Sequence, residues 1–308
     1  MKRTLFAMIL LVSLLCGCAA PAAPDQEAGY TFTDDLGRTV TVRTWDRVAA
    51  LLGSFAQIWI LSGGEVCATA DDAWDDLNLD LSGDTVNLGN TKELSLEKLL
   101  ASRPDLIIAS ANTRQQLEWR ETLEATGIPV AYFEVSDFDD YLQMLEICTS
   151  ITGRADLYRQ YGLDVQKQIN QVLELSRSRG TEPTVLCMRA SASLITVKNS
   201  EDNVLGAMLK SLGCVNIADS ETSLLENLSI ERILQLDPDY IFIAQRGDDR
   251  EGMIRNVEDM MQENPAWLQL TAVKEGRIYY MDKNLYNLKP NHRWGEAYEK
   301  LEVILSDG

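Results

Sequence analysis

Leu94-Ser95-Leu96-Glu97-Lys98-Leu99-Leu100 and Leu228-Ser229-Ile230-Glu231-Arg232-Ile233-Leu234 are one pattern written twice. Each is followed, at the same distance, by a Pro-Asp pair and an apolar run: Pro104-Asp105 before 106–109, and Pro238-Asp239 before 240–244. The offset between the copies is 134 residues at every matched position. In both, a serine stands where its side-chain oxygen can cap a helix, and a glutamate two positions on falls in the first turn, where the helix dipole favours negative charge. The unit is helix, loop, strand. Repetition of such a unit predicts two similar lobes. Either copy alone reads as a generic segment; the in-register Pro-Asp pairs weigh against coincidence.

Outward from the first copy, 48–52 reads as a strand, with a helix from about Ser54, a helical stretch over 115–125 and a strand over 130–133 entered through Gly127-Ile128-Pro129. Strand and helix alternate, the pattern of an α/β unit with a largely parallel sheet. From 138 to 178 the reading is helical, with a break near Thr152-Gly153. In its second part Leu157, Tyr161, Val165, Ile169, Val172 and Leu173 recur at spacings of three and four, an amphipathic stripe, until Gly180-Thr181-Glu182-Pro183 stops it. A second α/β series follows: strands over 184–188, 240–244 and 277–281, a helix over 202–212 and a closing helix over 293–305. The predicted fold is α/β: two Rossmann-like lobes with mainly parallel sheets, residues 30–153 and 181–308, joined by one long α-helix over 154–180.

At the start of the chain, Lys2 and Arg3 precede an apolar run from Leu5 to Leu15 that is too short to cross a bilayer, which needs about 20 residues. It ends in Leu15-Cys16-Gly17-Cys18, which resembles the lipobox of bacterial lipoproteins. That resemblance implies a signal peptide over 1–17, lipidation at Cys18, and a chain exported and anchored to the outer face of the cell membrane. Ordinary secretory cleavage is the alternative. Residues 18–29, rich in Ala, Pro and acid, read as the lipidated tether.

The 308 residues carry a formal net charge of -19. So acidic a chain lacks the basic footprint of a nucleic-acid binder and repels anionic lipid, which leaves the lipid anchor as its only hold on a membrane. Solubility alone would also account for the charge. Beyond Cys16 and Cys18, the cysteines are Cys67, Cys148, Cys187 and Cys214. They permit two disulfides, in three pairings, but their apolar settings favour four reduced core thiols. No CxxC or Cys/His pair suggests a metal site.

Several further motifs are each weak, but their order and spacing are not. They are Thr33-Asp34-Asp35-Leu36-Gly37-Arg38-Thr39-Val40, Pro104-Asp105-Leu106-Ile107-Ile108, Gly213-Cys214-Val215-Asn216-Ile217 and Lys289-Pro290-Asn291-His292-Arg293-Trp294. Together with Glu97 and Pro238-Asp239 they make the chain resemble the periplasmic or lipid-anchored solute-binding proteins of ABC importers for iron–siderophore complexes, haem and cobalamin. The resemblance implies a monomer with two lobes, a ligand cleft between them and one helical linker that restricts hinge motion. It implies partners: an ABC permease dimer with its ATPase. It also implies a role for the paired glutamates, with Glu97 and Glu231 each meeting a permease subunit; the plain alternative is a first-turn glutamate that only stabilises its helix.

Candidate ligand contacts come from loops after strands, where open α/β sheets bind ligands. In the first lobe they are Ser54, Trp74, Asn90, Lys92, Thr113 and Arg114; in the second, Arg189, Lys198, Arg246, Tyr286, Lys289 and His292. Arginine meets carboxylate or catecholate oxygens as a fork, and aromatics cover flat faces. For each base, a solvated surface charge is the alternative; Arg189 and Arg246 are the stronger candidates because both directly follow apolar strands. The pairing suits a bulky anionic iron chelate, a ferric siderophore in preference to haem or cobalamin. His292 is the only histidine, too few for a bare-ion zinc or manganese site, although haem ligation by His292 with Tyr286 or a methionine stays open. Trp294 and Tyr298 read as packing residues of the closing helix. No Gly-x-Ser-x-Gly, HExxH, glycine-rich phosphate loop or second histidine supports an enzyme, and no catalytic cofactor is expected. A secreted lipoprotein enzyme and a non-transporting ligand sensor are the rival classes.

Overall fold

A computed structural model describes residues 29–307. The expected signal peptide, Cys18 and the tether to residue 28 lie outside the described residues.

The chain opens with an antiparallel hairpin, β1 (Tyr30–Thr33) and β2 (Thr39–Val42). Five parallel strands follow: β3 (Val48–Ala50), β4 (Val66–Thr69), β5 (Val86–Asn87), β6 (Leu106–Ser110) and β7 (Val130–Phe133), in the order β5-β4-β3-β6-β7. The second sheet contains β8 (Thr184–Ala190), β9 (Ile195–Lys198), β10 (Val215–Asn216), β11 (Tyr240–Gln245) and β12 (Ile278–Met281). Its parallel order is β10-β8-β11-β12, with β9 antiparallel on β8. The fold is thus the expected pair of mainly parallel sheets. The short strands β4, β5, β9 and β10 were not legible in the sequence.

The repeated segment does the same physical work in both halves. Ser95 caps the helix Leu96–Ala101 by accepting from Lys98 N at 3.2 Å, and Ser229 caps Ile230–Leu236 by accepting from Arg232 N at 3.4 Å. Leu99 and Ile233, at matched positions, are fully buried, each contributing about 1.5–3 kcal/mol. The Asp of each Pro-Asp pair then ties its own strand to the neighbour. Asp105, ahead of β6, accepts from Asp46 N and Arg47 N ahead of β3, at 3.0 and 3.1 Å. Asp239, ahead of β11, accepts from Thr184 N and Oγ1 at the start of β8, at 2.7 and 2.8 Å.

The hairpin seals the free edge of the first sheet. Asp34 Oδ2 accepts from Tyr132 N at 3.2 Å, Asp35 N donates to Tyr132 O at 3.0 Å, and Arg38 Nη2 donates to Val130 O at 2.7 Å. These are the outward-facing groups of β7, so the turn Asp34–Arg38 takes the place of a missing sixth strand.

Between the sheets runs helix. Phe138–Thr152 carries a capping box at Asp137 and Asp140 and ends at Gly153, whose φ of 72° needs a residue without a side chain. The connection continues as Ala155–Tyr158, a π turn over Arg159–Leu163, and Asp164–Arg179. The π turn leaves the Tyr161 carbonyl for the hydroxyl of Tyr141, which donates to it at 2.9 Å. Val165, Ile169 and Val172, three of the stripe residues, are buried, and one apolar core runs from the first sheet through this helix into the second. A shared core resists large hinge motion. The stretch over 115–125 is two short helices, Arg114–Glu118 and Arg120–Glu124, rather than one. The closing helix is Trp294–Asp307; Trp294 and Tyr298 are buried on its inner face.

Cys67, Cys148, Cys187 and Cys214 are all free thiols; three are buried and Cys67 is half-buried. Burial pushes the Cys148 and Cys214 thiols up to about 12 and Cys187 higher still, so none is a reactive thiolate.

Candidate functional site

The carboxyl ends of the two sheets face one another, as contacts across them show. Asn291, after β12, donates through Nδ2 to Ser54 O at 2.9 Å and Gln57 Oε1 at 2.7 Å, in the helix after β3. Lys289 lies 5.8 Å from the centre of the Phe55 ring. Lys283, after β12, pairs with Asp76, which follows β4, and with Asp248, which follows β11. Sheet carboxyl ends are where such folds bind ligands. A hollow of about 580 Å³ lined by Gly180, Thr181, Glu182 and Leu212 lies instead at the amino ends of β8 and β10, where no such rule applies.

The second-lobe wall carries the electrostatic signature. Arg189, next to last in β8, is half-buried, and its buried Nε has no hydrogen-bond partner among the described residues. Burial, and then the charge of Arg246, hold its pKa below the usual guanidinium value, with Asp202 opposing. Arg246 follows β11, anchored by its own N–H to Ala190 O at 2.7 Å, and its side chain has no carboxylate within ion-pair distance among the described residues. Register places Arg189 opposite Ala244, so the two guanidinium groups come from adjacent strands. Arg189 and Arg246 thus bring two positive charges to one sheet end without a carboxylate in ion-pair contact among the described residues, in a chain this acidic.

Other expected contacts divide. Ser54 is buried in the first turn of the helix Gly53–Leu61 and contributes its carbonyl to Asn291. Trp74 is half-exposed on Asp72–Asp75, in the segment after β4, and belongs to none of the apolar clusters. Thr113 precedes Arg114–Glu118 without capping it, so its hydroxyl is available. Lys92 is exposed, and Asn90 folds back on its own loop, accepting from Lys92 N at 3.1 Å. Lys289 is held at the lobe junction, where burial lowers its pKa and Asp72, Glu134 and Asp140 pull the other way.

The other four candidates already have partners in the structure. Arg114 is paired with Glu118 at 2.8 Å on an exposed helix face, so its charge is already met. Lys198 is likewise neutralised by Asp202 at 2.8 Å. Tyr286 is a core residue: its ring is 2% exposed and its hydroxyl donates to Ala297 O at 3.1 Å. His292 packs its ring edge-on against Tyr161 of the π turn, centroids 5.9 Å apart, and burial followed by Arg293 lowers its pKa. That keeps the imidazole neutral but seats it against the linker.

Sequence reading missed Asn291, Lys283 and Asp72. Asn291 is fully buried with φ 52°, a conformation Asn tolerates. Asp72 accepts from Gly53 N at 2.8 Å, and burial raises its carboxyl to about 6. The signal for Asp72 was the run of four aspartates within 71–76; Asn291 and Lys283 act on partners more than 200 residues away. No group of His, Cys, Asp or Glu among the described residues could hold a metal ion.

Residues 48–285 match a family model described as periplasmic binding protein. A ferric citrate-binding protein, YfmC of Bacillus subtilis strain 168, is 26% identical over 91% of this chain and 88% of its own. Staphylococcus aureus SirA, solved with staphyloferrin B, superposes with a TM-score of 0.68 at 16% identity, over 90% of this chain and 98% of its own. The apo haem-binding protein RhuT of Roseiflexus sp. RS-1 does so with a TM-score of 0.68 at 19% identity, over 86% and 99%. At these identities the structural matches speak for the fold alone.

Proposed function

This chain belongs to the periplasmic binding protein family, and from that premise we propose that it is an extracytoplasmic receptor delivering an anionic ferric chelate to an ABC importer. The proteins of this family are non-enzymatic transport components, so the site binds and releases without chemistry. The unpaired Arg189 and Arg246 carry the proposal. Haem and cobalamin are bound by relatives of the same fold, but a second-lobe wall of two uncompensated guanidinium groups suits an occupant rich in carboxylate or catecholate oxygens. His292 packs on Tyr161 with its buried Nδ1 unbonded among the described residues, so the haem arm of the titration below carries a His292 variant. The relative named for ferric citrate is consistent with a polycarboxylate chelate.

The remainder of the reading follows the molecule outward. Residues 30–153 and 181–308 act as the two lobes, with 154–180 as the stiff link. Glu97 and Glu231 are exposed in the first turns of matched helices and form no ion pair among the described residues, which leaves both carboxylates free to meet one permease subunit each. Lipidation at Cys18 would hold a monomeric receptor beside its permease, raising effective concentration there.

The test is tryptophan-fluorescence titration of the signal-less protein with ferric citrate, a ferric catecholate, haem and cobalamin. Quenching by one of the ferric chelates at far lower concentration than by haem or cobalamin is expected. A cobalamin-only response, or a haem Soret shift that disappears in His292→Ala, would overturn it.

A further inference from the structure

Lys283 stands where the two lobes come within reach of one another. It opens the short helix Lys283–Tyr286, whose first turn is fixed by Asp282 accepting from Asn284 N at 2.9 Å. Its side chain is 14% exposed, and its ammonium meets one carboxylate from each lobe: Asp76, 24% exposed, past the end of β4, and Asp248, 77% exposed, in the turn after β11. All three residues follow the carboxyl ends of strands, so the contact joins the carboxyl-end loops of the two sheets. Asp248 is two residues from Arg246, so the contact also borders the anion site. No other ion pair among the described residues joins one sheet's carboxyl-end loops to the other's.

We propose that Asp76, Lys283 and Asp248 form a charged clasp across the mouth of the cleft, and that Lys283 thereby sets how fast, and how bulky, a chelate is exchanged. The proposal rests on the cleft being the ligand site. An anionic ligand on Arg189 and Arg246 lies behind the clasp, and release requires the Lys283–Asp76 link to part. With Lys283 gone, Asp76 and Asp248 face one another as like charges, and the lobes are pushed apart. Asn291, nearer the hinge, keeps them connected. The shared core along the linking helix permits only a small opening, so a short-range link at the mouth is enough to govern it. Salt screens such a link, because Asp248 is largely in solvent.

The experiment compares the full mature chain with Lys283→Met, Asp76→Asn and the charge exchange Asp76→Lys/Lys283→Asp. First, without ligand, spin labels on unnatural residues at Glu93 and Ser193, both exposed on carboxyl-end loops, report the distance across the mouth. Lys283→Met should lengthen it and reverse its salt dependence, salt now shortening the distance by screening Asp76 from Asp248, and the charge exchange should restore both. Second, stopped-flow displacement of ferric citrate should show dissociation faster by roughly threefold to tenfold in Lys283→Met, the change a partly shielded ion pair carries. Unchanged distances together with an unchanged dissociation rate would overturn the clasp. Failure of ferric citrate to bind at all would count against the ligand reading, and the ligand-free distances would still decide the clasp.

Discussion

Replacing Arg189 by alanine should separate affinity from stability, because that side chain has no hydrogen bond or ion pair to lose among the described residues. Its guanidinium is half-buried at the end of β8, its Nε is unbonded, and the nearest opposing charge, Asp202, is committed to Lys198 at 2.8 Å. Burial and Arg246 both disfavour its charge. Arginine stays protonated regardless, so the folded protein carries an unrelieved cost that an anionic ligand removes. A charged hydrogen bond contributes about 1.5–3 kcal/mol, which corresponds to a loss of affinity of roughly ten- to 150-fold. The melting midpoint should hold or rise. Arg179→Ala is the control: Arg179 pairs with Glu302 at 2.7 Å and donates to Leu212 O at 3.1 Å, and removing it strands a buried carboxylate at a cost of about 3 kcal/mol. The assay is fluorescence titration with ferric citrate beside differential scanning calorimetry, wild type against each variant. If Arg189→Ala binds within roughly twofold of wild type, or if it melts as early as Arg179→Ala, the anion-site reasoning is wrong.

Reversing both docking charges, Glu97→Arg with Glu231→Arg, should abolish uptake in cells while chelate titration of the purified protein is unchanged; normal uptake would end that assignment. Asp72→Asn should stabilise the protein at pH 8, because burial raises that carboxyl from 3.8 to about 6 and its charged form is the disfavoured one. The sign follows from linkage: between those two values the folded state holds the proton and the unfolded state does not, so wild-type stability falls as pH rises through about 6, by at most ~3 kcal/mol. Equilibrium urea unfolding at pH 8 and pH 4 should show the Asn variant's advantage at the higher value only, and an advantage independent of pH would contradict the assigned cause. Cys18→Ala should move the protein from the membrane fraction to the soluble one; retention on membranes would rule out the lipid anchor.

What the sequence disclosed was local. Ser95 and Ser229 cap helices, and Asp105 and Asp239 tie strands, through partners set by short-range geometry, which is why a seven-residue match could announce two similar sheets. Arg189 and Arg246 drew notice because a base directly after a buried strand has few places to go, and neither is in an ion pair among the described residues. What the sequence did not disclose was long-range or stoichiometric. Arg114 looked free until Glu118, one turn on, was seen to neutralise it. Tyr286 and His292 were judged by their neighbours in sequence, yet Ala297 and Tyr161 decide where they sit. Asn291 and Lys283 act on partners in the other lobe, and nothing in their own sequence surroundings announces them.

The most direct test of the receptor reading is to locate the iron. In a crystal of the ferric citrate complex, the anomalous signal of iron should fall between the carboxyl ends of the two sheets, with chelate oxygens about 3 Å from Arg189 or Arg246. An iron signal elsewhere, such as in the hollow beside Gly180 or in a haem held by His292, would contradict the account.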